Sequence, residues 1–158
     1  MSVELMTSWA EHDHALHDVL SKLSRSLCIF DEDLMQLKLE RKENADLLQR
    51  FLVADMSNRI QIVVKNAQPL QTKCARLMGL YMQYPHAMSV IEAPAHLARL
   101  NNLMLIADDA QALIRFHQDH ARSKAIIDDP VECRPYIQRF KDILLEGGGV
   151  VTARPLGL

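Results

Sequence analysis

The chain has 158 residues, the usual length of one domain, and a domain of this size buries about 70% of the surface that its unfolded form exposes. Hydrophobic residues make up 49% and charged residues 24%, and the formal net charge of -2 provides no overall positive field to attract nucleic acid or anionic lipid. The first twenty residues carry acidic and histidine side chains where a signal peptide needs a basic start, and no run of ~18 apolar residues occurs. We therefore expect a single domain over residues 1–158, located in the cytoplasm.

The N-terminal part, about residues 1–25, is predicted to form a helix from about Thr7 to Arg25, because Trp9, Leu16, Leu20 and Leu23 recur at helical spacing. Three apolar runs follow, "SLCIFD", "NRIQIVVKN" and "AMSVIEAP", and each is typical of a strand. Two amphipathic helices separate these runs, the second at about 69–84. Alternating strands and helices predict parallel βαβ units with right-handed crossovers, with the three strands in the centre of the sheet and helices covering it.

In the C-terminal part, the predicted strands follow one another without helices between them. Three short apolar runs, "NLMLIAD", "QALIRFH" and "SKAIIDD", leave no room for helices between them and are predicted to pair as hairpins. A last helix begins after Asp129 as its N-cap, with Pro130 at the first position and Glu132 at the third. The glycines at 147–149 end it, and the tail 147–158 either adds an edge strand or has no regular structure.

The stretch "NNLMLIADD", residues 101–109, raises the question of function. In isolation it is an ordinary core strand with a polar end. Side chains alternate along a strand, so residues 101 and 103 are expected on one face, and residue 108 lies where the strand ends.

This spacing resembles the motif of the phospholipase D superfamily, which has His, any residue, Lys, four residues and Asp. In that superfamily the His attacks phosphorus, the Lys holds phosphate oxygens and the Asp supports the arrangement. The run from about Ser26 to Glu146 is similar to one half of such an enzyme, down to the closing helix "DDPVECRPYIQRFKDILLEG". It is also similar to a small bacterial domain of unknown role that occurs fused to acetyltransferases. The resemblance implies an α/β fold, a mixed sheet with central parallel strands and helices on both faces.

The departures from the motif concern the catalytic positions. Asn101 replaces the nucleophilic imidazole, Leu103 replaces the cation, and only Asp108 matches. The superfamily also has a Gly-Ser-x-Asn segment after the motif. At its four positions this chain has Arg115, Phe116, His117 and Gln118. Because both nucleophilic attack and charge stabilisation are lost, we predict no catalytic residues and little turnover of the superfamily's type.

A cluster of basic residues near the predicted hairpins is the candidate anion site. Alternation places Arg115 with His117, and Arg122 with Lys124, on shared strand faces, so that a pocket for a small phosphate or carboxylate could form. The alternative is that these side chains are scattered over loops. The candidate set is Arg115, His117, His120, Arg122 and Lys124.

The segment "EHDHALHD" at 11–18 suggests a metal site at first sight. On a helix His12 and His14 are about 200° apart, whereas His14 with Asp18, or Asp13 with His17, shares one face. Two ligands make a weak site, so we interpret the segment as a solvated polar face that would need a second chain to complete a metal site. Three cysteines without CxxC spacing indicate neither disulfides nor structural zinc, and we predict no metal and no cofactor.

Two functions follow from these observations. The first is a non-catalytic phospholipase D-like domain acting as an interaction or regulatory module. Because the superfamily builds its active centre from two halves, we expect a homodimer with an isologous interface near Asn101 and the hairpins. A further protein partner is compatible with this role.

The second possible function is that of a phosphodiesterase, or of a nucleotide- or phosphate-binding protein, that uses a re-equipped cleft around His117 and Arg115. Balanced charge and only 5% aromatic residues disfavour nucleic acid, and no membrane partner is expected.

Overall fold

The computed structural model describes residues 2–117 and 119–152. Strands and helices alternate through the first two thirds of the chain, and strands dominate the segment before the last helix. In chain order the elements are β1 (Ser2–Met6), α1 (Trp9–Lys22), β2 (Ser26–Asp31), α2 (Lys42–Ala54), β3 (Arg59–Val64), α3 (Gln68–Lys73), α4 (Ala75–Gln83), β4 (Met88–Glu92), β5 (Leu103–Ala107), β6 (Gln111–Arg115), β7 (Ser123–Ile127), α5 (Pro130–Leu145) and β8 (Gly149–Val150). A short 3-10 helix, Ala95–Arg99, precedes β5.

The strands form one mixed sheet in the order β1-β7-β6-β5-β2-β3-β4-β8. β2, β3 and β4 are parallel, as the alternation of strands and helices predicted, and β5, β6, β7 and β1 continue the sheet in antiparallel pairs. The predicted hairpins of β5, β6 and β7 are therefore confirmed. β2 and β3 are central, whereas β4 has only the two-residue β8 outside it.

Helices cover both faces of the sheet, which confirms the predicted fold class. α1 to α4 contribute Leu16, Leu48, Leu70 and Leu77 to the larger core on one face. α5 lies on the other face, where Phe140 and Ile143 pack with the apolar residues of β5, β6 and β7. Full burial of a side chain of this size stabilises the fold by about 1.5–3 kcal/mol. No helix in the described ranges is long and apolar enough to cross a membrane.

The N-terminal segment contains the predicted helix and, before it, a strand that was not predicted. α1 occupies only Trp9–Lys22, capped by Ser8, whose Oγ accepts a hydrogen bond from the Glu11 N–H at 3.2 Å. Before it, β1 pairs with β7 and forms the sheet edge. Four of the five β1 residues are exposed, so the segment lacks the alternation by which a strand is recognised.

The helix predicted for about 69–84 is interrupted at Cys74, whose backbone (φ -115°, ψ 68°) is not helical. α3 ends before this residue and α4 begins after it. α4 then ends at Gln83, two residues before Pro85, as expected because proline restricts the residue that precedes it.

The last helix begins and ends where its signals predicted. Asp129 accepts a hydrogen bond from the Glu132 N–H at 3.1 Å, and Pro130 is the first helical residue. Gly147 and Gly148 have positive φ angles of 80° and 133°. A Cβ at Gly148 would lie 2.3 Å from the Glu92 carbonyl oxygen, so only glycine lets the chain turn back and pair β8 with β4. The tail thus provides an edge strand, and residues 153–158 lie outside the described ranges.

Candidate functional site

The three residues at the motif positions lie in three different environments. Asn101 is exposed and precedes β5, so it is not part of the strand as predicted. Leu103 is the first residue of β5 and only 1% exposed. Asp108 follows β5 at the other end. The position of the superfamily's cation is therefore occupied by a buried hydrocarbon side chain, and no charge can be presented there.

Asp108 connects the β5–β6 turn to the segment that leads into β2. Its carboxylate accepts hydrogen bonds from the backbone N–H groups of Ser24 (3.1 Å), Arg25 (2.6 Å) and Ser26 (3.1 Å). Its φ of 56°, and that of 55° for Asp109, suit the tight turn, because aspartate tolerates the left-handed conformation better than most residues. Ser24 Oγ also donates to this carboxylate at 3.2 Å. These contacts hold two segments of the fold together.

The first Gly-Ser-x-Asn position, Arg115, is the last residue of β6 and 2% exposed. Its Nη2 donates to Oδ1 of Asp31, the last residue of β2, at 2.8 Å. The second oxygen of Asp31 accepts from the Leu34 N–H at 2.9 Å. Burial raises the pKa of the Asp31 carboxyl, against the opposing effect of the Arg115 guanidinium. Arg115 is thus committed to a buried ion pair between two strands that flank β5.

Two side chains of α1 cover this ion pair. Trp9 lies with its ring centroid 5.6 Å from Arg115 Cζ, and His12 packs edge-on against Trp9 at 5.7 Å. Burial, together with the nearby Arg115 charge, lowers the pKa of His12 to about 4, so the imidazole is neutral at pH 7. His12 Nδ1 and Arg115 Nε have no hydrogen-bond partner among the described residues. Both residues line a cavity of about 10 Å³, far below the ~300 Å³ at which small-molecule pockets begin.

The other predicted anion-binding residues lie apart from this buried group. His117 and His120 are exposed in the loop between β6 and β7, with ring centroids 4.7 Å apart. Arg122 is exposed immediately before β7. Lys124 lies within β7, and its Nζ is 4.9 Å from the Tyr136 ring centroid on α5.

The shared strand faces expected for these residues do not form, because β6 ends at Arg115 and β7 begins at Ser123. Arg115 points toward α1 and Lys124 toward α5, on opposite faces of the sheet. The structure therefore brings His117 and His120 together, places Lys124 against Tyr136 of α5, and buries Arg115. Gln118 lies outside the described residues.

Sequence reasoning missed the partners of Arg115, namely Asp31, His12 and Trp9. The available signals were an acidic residue directly after the buried run "SLCIF", and a histidine four residues before Leu16 on the apolar face of α1. The prediction that residues 11–18 form a solvated polar face therefore holds for only part of the segment, because His12 is buried.

The rest of the 11–18 segment forms ion pairs rather than a ligand cluster. His14 and Asp18 are exposed and 3.4 Å apart. Asp13 pairs with Lys38 at 3.0 Å and with Arg41 at 3.6 Å. Among the residues that the structure describes, no group of three or more His, Cys, Asp or Glu side chains is placed to hold a metal ion.

Comparison with known proteins gives a family and a fold. The profile of the family described as a domain of unknown function (DUF7931) matches residues 8–145. No curated protein matches the sequence significantly. Among solved structures, NucT from Helicobacter pylori is 14% identical with a TM-score of 0.64, over 94% of this chain and 98% of that chain. Nuc from Salmonella typhimurium, a phospholipase D family member, is 10% identical with a TM-score of 0.58, over 95% of this chain and 97% of that chain.

A third similar structure is TrmBL2, described as an archaeal chromatin protein with a novel mode of DNA binding. It is 12% identical with a TM-score of 0.68 over 96% of this chain, and this chain spans 55% of TrmBL2. Identities this low establish the fold and not the activity. The chain belongs to the DUF7931 family, and its fold is that of the phospholipase D-like superfamily.

Proposed function

We propose that this chain is a non-catalytic phospholipase D-like domain that acts as an interaction or regulatory module and forms a homodimer. The main support for the proposal is the identity and environment of the side chains at the catalytic motif positions. The nucleophile position holds an exposed amide, the cation position a buried leucine, and the following segment starts with Arg115 in a buried ion pair. A single lost transition-state contact costs about 3–4 kcal/mol of barrier lowering, and here two are lost.

Support for the homodimer comes from the extent of the structural match. NucT and Nuc are each covered almost end to end, so the residues of this chain correspond to one phospholipase D-like unit. A symmetric pair would use the same surface on both copies, and we place that surface at the edge formed by Asn101 and the β6–β7 loop. The exposed His117 and His120 would then lie in or beside the interface.

Gel filtration coupled to light scattering tests the dimer. We expect twice the chain mass of 18.0 kDa at micromolar concentration. His117→Asp should shift the equilibrium toward the monomer by placing like charges across a two-fold axis. His86→Asp is the matched control, because His86 is exposed in the α4–β4 connection, at the opposite end of the sheet. A monomeric wild type, or an equal response to both substitutions, would refute the dimer at this edge.

The alternative is a phosphodiesterase or phosphate-binding protein that uses His117, and the close approach of His117 and His120 is the observation in its favour. It requires these side chains to meet Arg115 beside Asp108. Arg115 pairs with Leu103 at one end of the hairpin, and Asp108 is five residues away at the other, about 16 Å along the strand. Hydrolysis of bis(p-nitrophenyl) phosphate that disappears in His117→Ala would establish this alternative. Equal background rates for both proteins would exclude hydrolysis and leave only the binding function.

A further inference from the structure

We propose that the cleft between residues 99–102 and α5 binds a phosphate group through Arg99 and Arg139. This cleft has a volume of about 390 Å³, within the range of small-molecule sites, and is lined by Arg99, Leu100, Asn101, Asn102, Arg139 and Ile143. The proposal concerns a binding site and requires neither turnover nor dimerisation. It also moves the anion site away from Arg115, which is buried and paired.

The two walls of the cleft are connected by a contact between the 3-10 helix and the end of α5. One wall is the end of the 3-10 helix and the approach to β5, and the other is a face of α5. His96 Nε2 and Glu146 Oε2 are 2.9 Å apart and tie the 3-10 helix to the end of α5. Ile143 is 4% exposed and provides the floor, whereas Arg139, one turn earlier on α5, is exposed at the rim.

The polar lining has a single sign of charge. It consists of two guanidinium groups and two side-chain amides, with no carboxylate among the lining residues. Within residues 2–117 and 119–152, neither Arg99 nor Arg139 lies within 4.0 Å of an acidic oxygen. The nearest acidic residues along α5 have other partners, since Asp142 accepts from Gln138 at 2.9 Å and Glu146 contacts His96. Two arginines facing one cleft without a counter-ion form a local positive site on a chain whose net charge is -2.

The donor set suits phosphate. A guanidinium group offers parallel N–H donors that match two phosphate oxygens, and side-chain amides such as those of Asn101 and Asn102 add further N–H donors. Arg139 Cζ lies 5.6 Å from the Tyr136 ring centroid, a contact that orients the guanidinium group before a ligand arrives. The same group could belong to a free phosphate compound or to a nucleic-acid backbone, and both present the same oxygens.

Titration with two probes distinguishes these sources. Inorganic pyrophosphate is titrated by calorimetry, and a short fluorescein-labelled oligothymidylate by fluorescence anisotropy, both at low ionic strength because salt screens exposed charges. We expect at least one probe to bind. Binding of pyrophosphate alone indicates a small phosphate ligand, and binding of the oligonucleotide indicates a backbone phosphate.

The variants locate the binding. Arg99→Ala combined with Arg139→Ala should weaken it by roughly tenfold or more, whereas Arg134→Ala, an exposed arginine of α5 outside the cleft, should change it by less than about twofold. Arg139→Lys should give an intermediate loss, because lysine retains the charge but not the fork of donors. Binding of neither probe would overturn the proposal, and so would equal losses in the cleft double variant and in Arg134→Ala. The dimer experiment has a different readout, so either proposal can fail without the other.

Discussion

The two ends of the β5–β6 hairpin match the superfamily's motif to different extents. At the turn, Asp108 matches the motif, and its carboxylate accepts hydrogen bonds from three backbone N–H groups that fix the approach to β2. At the open end, the nucleophile, cation and glycine positions hold Asn101, Leu103 and Arg115, and the space is filled by a buried ion pair with Asp31. The carboxylate at the turn supports the fold through backbone contacts, whereas the residues at the open end lack the imidazole and the cation of the superfamily's motif. Substitutions at either end of the hairpin, and at the surface, should therefore change stability by different amounts.

The largest effect is expected from breaking the buried ion pair. Arg115→Met leaves the Asp31 carboxylate buried and unpaired, and should lower the free energy of unfolding by about 3–5 kcal/mol in urea titrations. Arg115→Lys should lose less, because it keeps the charge. The double variant Asp31→Asn, Arg115→Met should recover part of the loss, since no charge stays buried. Arg122→Met, at an exposed position nearby, is the control and should change stability by less than about 0.5 kcal/mol. A loss in Arg115→Met no larger than that of the control would contradict the proposed role of the pair.

The second effect is a dependence of stability on pH that originates at His12. In the folded protein its pKa is lowered to about 4, whereas in the unfolded chain it is close to 6.5. The contribution of His12 to the free energy of unfolding is therefore fully present above pH 6.5 and is lost as the pH falls toward 4. Between these values the unfolded chain binds a proton at His12, whereas the folded protein does not. The difference between the two pKa values corresponds to a change of about 3 kcal/mol at most in the free energy of unfolding.

This contribution can be separated from those of Asp31, Asp13 and Lys38 nearby by comparing variants. Unfolding free energies measured from pH 7 to pH 4 should fall less steeply for His12→Phe than for the wild type. His86→Phe, at an exposed site, should retain the wild-type slope. Identical slopes in all three proteins would show that His12 does not titrate as inferred.

The third effect tests the retained end of the motif. Asp108→Ala removes a carboxylate that accepts charge-assisted hydrogen bonds, and each such bond is worth about 1.5–3 kcal/mol. Asp109→Ala is a closely matched control, because Asp109 lies in the same turn with nearly the same φ and is exposed. Both variants place alanine in a backbone conformation with positive φ, so this cost is common to them. Asp108→Ala should therefore be less stable than Asp109→Ala by about 2 kcal/mol in thermal or urea unfolding. Equal losses would mean that only turn conformation is involved.

The smallest effect is expected at the surface pair of His14 and Asp18, whose side chains are 80% and 55% exposed. Asp18→Ala should change the free energy of unfolding by less than about 0.5 kcal/mol, because exposed ion pairs gain little in water. The same urea titrations measure it. A loss comparable to that of Arg115→Met would remove the distinction between buried and exposed pairs.

Most of the fold was predictable from sequence because its elements carry strong local signals. The apolar runs that became β2 and β3, the short runs of β5 to β7, and the Asp129 cap of α5 all depend on residues adjacent in sequence. β1 was missed because an exposed edge strand has no buried face to pattern it, and the break at Cys74 has no local breaker residue.

The site was predicted less well because its contacts are distant along the chain. Arg115 and Asp31 are 84 residues apart, and nothing near Arg115 in sequence shows that an acidic residue lies beside it. The cleft of Arg99 and Arg139 likewise combines a loop and a helix. The sequence gives the identity of each site residue, but which of these residues come into contact depends on the order of the strands in the sheet.

The central claim, that the domain is catalytically silent, is tested most directly by the steady-state hydrolysis of bis(p-nitrophenyl) phosphate by the wild type and by Asn101→Ala. Asn101 is exposed, so its truncation should leave the fold intact. We predict rates for both proteins that equal those of the heat-inactivated protein. Turnover above that background in the wild type, reduced in Asn101→Ala, would contradict the claim.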